Sequence, residues 1–311
     1  MSISPFSITR RKALELGAGV AVAATTPSVF AQSEPLILKT IPKSGEMIPP
    51  IGIGTNRYGV GESEEARAPL RATMARFVEL GGRVMDTAYI YGTSEAVIGD
   101  LMTDLGIRDD LFVVTKTDIR GRIRGEEGLQ GSMDRLRTDR LDAMLVHNFA
   151  NVETELPILR EWKEAGRIRY IGASTSEARQ HAQMEQLMRN EDVDIVQFNY
   201  SLGDRAAAER LLPLAADRGI AVMINVPFSG TRNSLFDAVE GEALPEWAAD
   251  FDCRSWGQFF LKYIISHPAV TVAIPGTRQP RHVEDNFGAA MGRLPDASQR
   301  RRQEAFFDNL S

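Results

Sequence analysis

At 311 residues, 43% apolar and 25% charged, the chain has the make-up of a folded protein large enough for one barrel-sized domain. A formal charge of −6 gives no electrostatic reason to bind nucleic acid. The single cysteine, Cys253, excludes an internal disulfide and a multi-cysteine metal centre, and the four histidines show no metal-ligand spacing. No metal is expected.

Residues 1–31 differ from the rest: Thr9-Arg10-Arg11-Lys12 precedes a modest Ala/Gly/Val/Leu stretch and then Val29-Phe30-Ala31. A basic start, a short apolar middle and a small-residue cleavage site describe a signal peptide, and the paired arginines indicate twin-arginine export. The stretch is too short, and too interrupted by Glu15 and glycines, to make a stable membrane anchor. The twin-arginine translocase is the expected export partner and the periplasm the expected location. The alternatives are a disordered basic tail and a cytoplasmic protein.

The remainder, 32–311, reads as a single domain, with no linker or charge block to divide it. Residues 36–41 and 46–49, joined by Lys43-Ser44-Gly45, predict a hairpin suited to capping a barrel floor. Eight apolar, β-branched runs follow, at 51–55, 84–88, 112–116, 143–147, 170–174, 195–200, 220–226 and 270–275. Continuous apolar runs suit strands buried on both faces, as in a parallel sheet. Amphipathic helices are predicted between most of them, including 70–80, closed by Gly81-Gly82, and 156–165, closed by Gly166. Ser255-Trp256-Gly257-Gln258 is a capping box opening a helix over 259–266. Residues 227–252 are long for a connection and are expected to be functional or partly helical. Eight strand–helix units favour an α/β (β/α)8 TIM barrel over a doubly wound sheet.

Asp86, Tyr91, Lys116 and His147 stand at or just past the ends of three consecutive runs. At one mouth of a parallel barrel they would bring together a carboxylate, a phenol, an ammonium and an imidazole. A phenol beside an ammonium is a proton donor for carbonyl reduction, which points to a nicotinamide-dependent oxidoreductase. Gly52-Ile53-Gly54-Thr55 is not a dinucleotide fingerprint, since it lacks the third glycine and the helix start. Taken singly each residue has a plainer role: Asp86 and Thr87 as helix caps, Lys116 reaching into water, Tyr91 half-exposed in a loop.

Five segments, in order, resemble the aldo-keto reductase superfamily. They are Ile51-Gly52-Ile53-Gly54-Thr55, Asp86-Thr87-Ala88-Tyr89-Ile90-Tyr91-Gly92, Leu145-Val146-His147-Asn148, the run 165–174, and Ile274-Pro275-Gly276-Thr277-Arg278. The resemblance implies a barrel oxidoreductase with NADP, less readily NAD, extended across the carboxyl-end mouth. Tyr91 matches the general acid, with Lys116 lowering its pKa from the usual ~10, Asp86 holding Lys116, and His147 donating to the developing alkoxide or relaying its proton. Ser174 and Gln197 match residues that grip the nicotinamide carboxamide, Thr277 and Arg278 the arm that meets the 2′-phosphate, and Asp285 and Asn286 the adenine edge. Thr55, Asn56, Pro227 and Phe228 are further expected contacts on strand-end loops.

Two positions depart from the resemblance. Thr175 stands where the family has asparagine, and Asn225 where an aromatic ring normally stacks on the nicotinamide; Phe228 is a candidate substitute. Tyr58, Phe149 and Phe228 are candidate apolar walls for a small carbonyl or alcohol substrate. Arg120, Arg122 and Arg124 would attract an acidic one, or form a solvated loop face. Two other functions remain: a cofactor-binding regulatory protein, motivated by Asn225, and an isomerase recycling a bound nicotinamide.

Overall fold

The computed structural model describes residues 35–117, 122–230 and 234–310, the side chains of 122–126 excepted. The export signal expected over 1–31 lies outside the described residues, as do Arg120 and the side chains of Arg122 and Arg124.

β1 (Lys39–Thr40) and β2 (Met47–Ile48) pair antiparallel as the expected hairpin. The eight strands that follow are β3 (Ile53–Gly54), β4 (Val84–Asp86), β5 (Phe112–Thr117), β6 (Leu141–His147), β7 (Ile168–Ser174), β8 (Ile195–Asn199), β9 (Ala221–Asn225) and β10 (Val272–Ala273). Each pairs parallel with its neighbour in chain order. The ring is closed between the two ends of the sheet: Gly52 N donates to Ala273 O at 2.8 Å, and Gly54 N to Pro275 O at 3.0 Å. A (β/α)8 barrel is therefore the architecture, as the strand count predicts.

The helices are α1 (Glu64–Glu79), α2 (Ser94–Leu105), α3 (Arg122–Leu136), α4 (Val152–Glu164), α5 (His181–Asn190), α6 (Leu211–Arg218), α7 (Leu235–Ala238), α8 (Trp256–Ile265), α9 (Pro280–Gly288) and α10 (Ala297–Asp308). α1 begins six residues before the predicted start because Ser63 Oγ accepts from Ala66 N at 3.3 Å and Glu64 and Glu65 occupy the positive first turn. α4 likewise starts at Val152, ahead of Pro157, where apolar periodicity gives no signal. Ser255 caps α8 as predicted, accepting from Gln258 N at 3.1 Å, but Gln258 Oε1 reaches back to Arg254 N rather than to the cap residue itself. The long 227–252 connection is partly helical, holding α7 and a 3₁₀ turn over Glu246–Phe251.

Two apolar clusters follow from the period of two along each strand. Outward residues such as Met85, Val113, Met144 and Val196 pack against helix residues such as Phe77 and Leu159. Inward residues Val84, Val114, Leu145, Ile195, Met223 and Ile274 fill the barrel, and Ile41 and Ile48 of the hairpin join them. The hairpin is thus a plug for the floor, fixed at its rim by Tyr170 Oη donating to Ser44 Oγ at 2.7 Å. At Gly172 an added Cβ would stand 1.6 Å from the Ile195 carbonyl oxygen, so only glycine lets β7 lie this close to β8.

Candidate active site

Along four of the barrel strands the inward series changes from apolar to polar at the carboxyl end. Val84 gives way to Asp86, Val114 to Lys116, Leu145 to His147, and Ile195 to Gln197. The lower side chains build the core and the last one in each series meets the mouth. A cavity of about 620 Å³ opens there, lined by Asp86, Tyr91, His147, Ser174, Gln197 and Asn225 among others. A second cleft, about 750 Å³, lies among Arg83, Arg108, Arg140, Arg167 and Arg169 and contains none of the candidate residues. Arg108 and Arg169 there are engaged with Asp142, at 3.2 and 2.8 Å.

Beneath the mouth, Lys116 Nζ donates to Asp86 Oδ1 and Oδ2, both at 2.7 Å, and to Thr87 O at 2.8 Å. Those three acceptors match the three protons of an ammonium. Lys116 is 1% exposed and Asp86 4%, so the pair is held in a medium where either charge alone would be costly. Gln197 Nε2 also donates to Asp86 Oδ1, at 2.7 Å. The carboxylate therefore ties β4, β5 and β8 together. Burial lowers the Lys116 pKa from the usual lysine value, opposed by the charges of Asp86 and Glu95.

Tyr91 sits in the turn after β4, its amide donating to Ala88 O at 3.0 Å. Its ring stands edge-on to the His147 imidazole, with centroids 6.1 Å apart. Lys116 Nζ lies 5.5 Å from the Tyr91 ring centroid, within range of a cation–π contact. The four tetrad residues are thus brought together. Their electrostatics differ from expectation, however: burial pushes the Tyr91 phenol above the usual tyrosine value, and the charge of Asp86 pushes it the same way. The expected lowering by Lys116 is not met because that ammonium is spent on Asp86 and Thr87. At neutral pH the arrangement holds a protonated phenol, which is the form an acid catalyst needs.

The rim residues divide into those that line the cavity and those that support it. Asn56, Ser174, Pro227, Phe228, Thr277 and the exposed Arg278 line it. Thr55 lines it too, but its hydroxyl is taken up by the Asp86 carbonyl at 2.8 Å. Arg278 stands two residues before α9, whose amino end adds positive potential near the guanidinium, so an anionic phosphate fits there. Asn286 is buried and donates to Thr277 Oγ1 at 3.1 Å, while Asp285 Oδ1 accepts from Gln258 Nε2 at 3.3 Å. Neither lines the cavity: Asn286 braces the arm through Thr277, and Asp285 ties α9 to α8.

Two further expectations are corrected by packing. Tyr58 is no pocket wall: it is fully buried, with its hydroxyl donating to Thr277 O at 2.9 Å. Phe149 packs against the outer core rather than the cavity. Gln197 lines the cavity with one of its two N–H donors given to Asp86. Phe228 does face the cavity, but its ring is also packed against Phe236 at 5.0 Å. Arg57, Asn148, Ser176, Gln279 and His282 also line the mouth. Asn148 stands in a segment that carries the resemblance, while nothing in the sequence singles out the other four.

Replacing Lys116 with Met leaves Asp86 buried without its counter-charge and is expected to lower stability by roughly 3–5 kcal/mol. Adding Asp86→Leu removes the stranded charge and recovers much of that loss, read as denaturation midpoints across the double-mutant cycle. A loss in the double variant equal to the sum of the two single losses would show the two charges to be uncoupled.

Residues 50–305 match the Aldo/keto reductase family. The methylglyoxal reductase YeaE of Escherichia coli (strain K12) is 31% identical over 260 residues, covering 80% of this chain and 88% of that protein. An NADH-specific methylglyoxal reductase of the same organism is 25% identical over 302 residues, covering 79% of this chain and 91% of that protein. An aldo-keto reductase from Klebsiella pneumoniae, solved in complex with NADPH, is similar in fold at a TM-score of 0.73 and 24% identity, over 88% of this chain and 96% of that one. With the barrel and its mouth in place, the match over residues 50–305 makes the chain a member of the aldo/keto reductase family.

Proposed function

We propose that this protein is an NADP(H)-dependent carbonyl reductase in which Tyr91 is the general acid. The observation that carries the reading is a phenol lining the same cavity as His147, 6.1 Å from it between ring centroids, over a buried Lys116–Asp86 pair. A reduced nicotinamide, when bound, supplies the hydride for a carbonyl carbon. Tyr91 Oη gives its proton to the carbonyl oxygen as negative charge grows there. His147 orients that oxygen and adds a second positively polarised group, and donors aimed at a nascent oxyanion are where much of a rate gain arises. Lys116 and Asp86 fix the ground beneath Tyr91.

Arg278, Thr277 and the amino end of α9 form an anion-accepting arm on the cavity rim, which supports NADP over NAD. The name of one Escherichia coli relative, an NADH-specific enzyme, marks NAD as the competing choice. Two relatives named methylglyoxal reductases support a small carbonyl, such as a 2-oxoaldehyde, as the substrate class.

Purified protein is expected to oxidise NADPH with methylglyoxal. Tyr91→Phe should lower kcat by roughly 10²–10⁴-fold while leaving the thermal melting point unchanged. Full turnover in that variant would remove Tyr91 from the chemistry. Tight dinucleotide binding without turnover across a panel of aldehydes and ketones would instead favour the regulatory reading.

The proposal includes export. Thr9-Arg10-Arg11-Lys12, the apolar stretch behind it and the site at Ala31 have the character of a twin-arginine signal, a route that carries proteins already folded. Expressed full length in a host with that pathway, the protein should be found in the periplasm with a mature mass beginning at residue 32. Uncleaved protein confined to the cytoplasm would contradict this.

A further inference from the structure

Asn225 ends β9 at the cavity mouth, and its side-chain amide is held in one orientation. Nδ2 donates to Thr175 O at 2.8 Å and lies 3.5 Å from Gln197 Oε1. With the nitrogen so committed, Oδ1 is left buried, and no group among the described residues pairs with it. A buried acceptor without a donor carries its full desolvation penalty, and such atoms in folded proteins call for an explanation. The backbone beyond it is also costly: Val226, a β-branched residue, sits at φ 48°, in the left-handed region. That turn sends Pro227 and Phe228 along the cavity wall. Strain next to an unpaired acceptor, in a cavity, marks a place shaped for a ligand.

Resting on the carbonyl-reductase reading above, we propose that Asn225 Oδ1 accepts a hydrogen bond from the carboxamide N–H of the nicotinamide. The ligand must bring an N–H or O–H donor. A carbonyl substrate has none at its reacting group, whereas the carboxamide has two N–H bonds. The position fits as well. β9 lies between β8, which carries Gln197, and β10, beyond which Arg278 stands. A dinucleotide with a phosphate at Arg278 and its ring near Tyr91 has to pass the end of β9. Gln197 gives one of its N–H donors to Asp86 and turns its Oε1 toward Asn225 Nδ2, while Ser174 Oγ has only a long 3.5 Å approach to Val146 O and can turn to donate to the carboxamide oxygen. Ring recognition in this chain is therefore by the exocyclic amide, through Asn225 at the strand end.

Calorimetric binding of three oxidised nucleotides tests this without turnover. The probes are NADP⁺, its thionicotinamide analogue, which keeps the N–H donor, and its 3-acetylpyridine analogue, which replaces the amide by a methyl ketone. The wild-type protein should bind the first two alike and the acetylpyridine analogue about tenfold more weakly, the effect of one hydrogen bond to a buried acceptor. Asn225→Leu should weaken NADP⁺ to the level of the acetylpyridine analogue and abolish the discrimination, with Asn225→Ala as the smaller replacement should the leucine variant not fold. Equal binding of all three by the wild type, or discrimination that survives loss of the amide, overturns the role of Asn225. Failure of the wild type to bind any of them overturns the dinucleotide reading itself.

Discussion

A buried lysine can be tolerated only if its charge is met at every donor, and the Lys116–Asp86 pair is where this barrel meets that demand. Two carboxylate oxygens and the Thr87 carbonyl surround Nζ at 2.7–2.8 Å, and Gln197 supports the carboxylate from across the barrel. Strands β4, β5 and β8 must therefore hold their relative stagger, or a charge is left uncovered in a low-dielectric interior. The pair gives little net stability by burial alone. Its consequence is positional, since it sets the platform on which Tyr91 rests.

The pair also decides the electrostatics of the mouth. Because the two charges cancel locally and the ammonium has no proton to spare, Tyr91 is governed by burial and by residual repulsion from Asp86. On the carbonyl-reductase proposal, the acidity of this phenol is drawn out by negative charge developing on the substrate oxygen, a differential effect absent in the resting site. The division of labour along the strands makes it possible: apolar inward residues and the hairpin isoleucines fill the barrel from below, and polar residues appear toward the carboxyl ends.

Much of this was legible in the sequence, for definite reasons. Doubly buried strands read as continuous apolar runs, so all eight were located, and the polar residue closing each run identified Asp86, Lys116 and His147. The hairpin at the floor was legible from Lys43-Ser44-Gly45 between two short runs. Helix starts were less so, because α1 opens with a serine cap and acidic residues, and α4 with acidic residues alone, before any apolar period. Contacts that depend on strand stagger were not legible at all. Gln197 reaches Asp86 across 111 residues of sequence, and Tyr58 reaches Thr277 across 219. The direction of the Tyr91 shift is likewise not in the sequence, since the acceptors around Lys116 of β5 come from Asp86 and Thr87 at the end of β4.

Burial and the charge of Asp86 hold Tyr91 above the ordinary tyrosine value, as a phenol and not a phenolate. Ultraviolet difference titration of the wild-type protein against Tyr91→Phe isolates the ionisation of this one ring from the other tyrosines. The account predicts that no phenolate band attributable to Tyr91 appears as the pH is raised through 9, the usual onset for an ordinary tyrosine of pKa ~10. A Tyr91 phenolate titrating near neutral pH would mean that Lys116 acts on the phenol directly, and would contradict it.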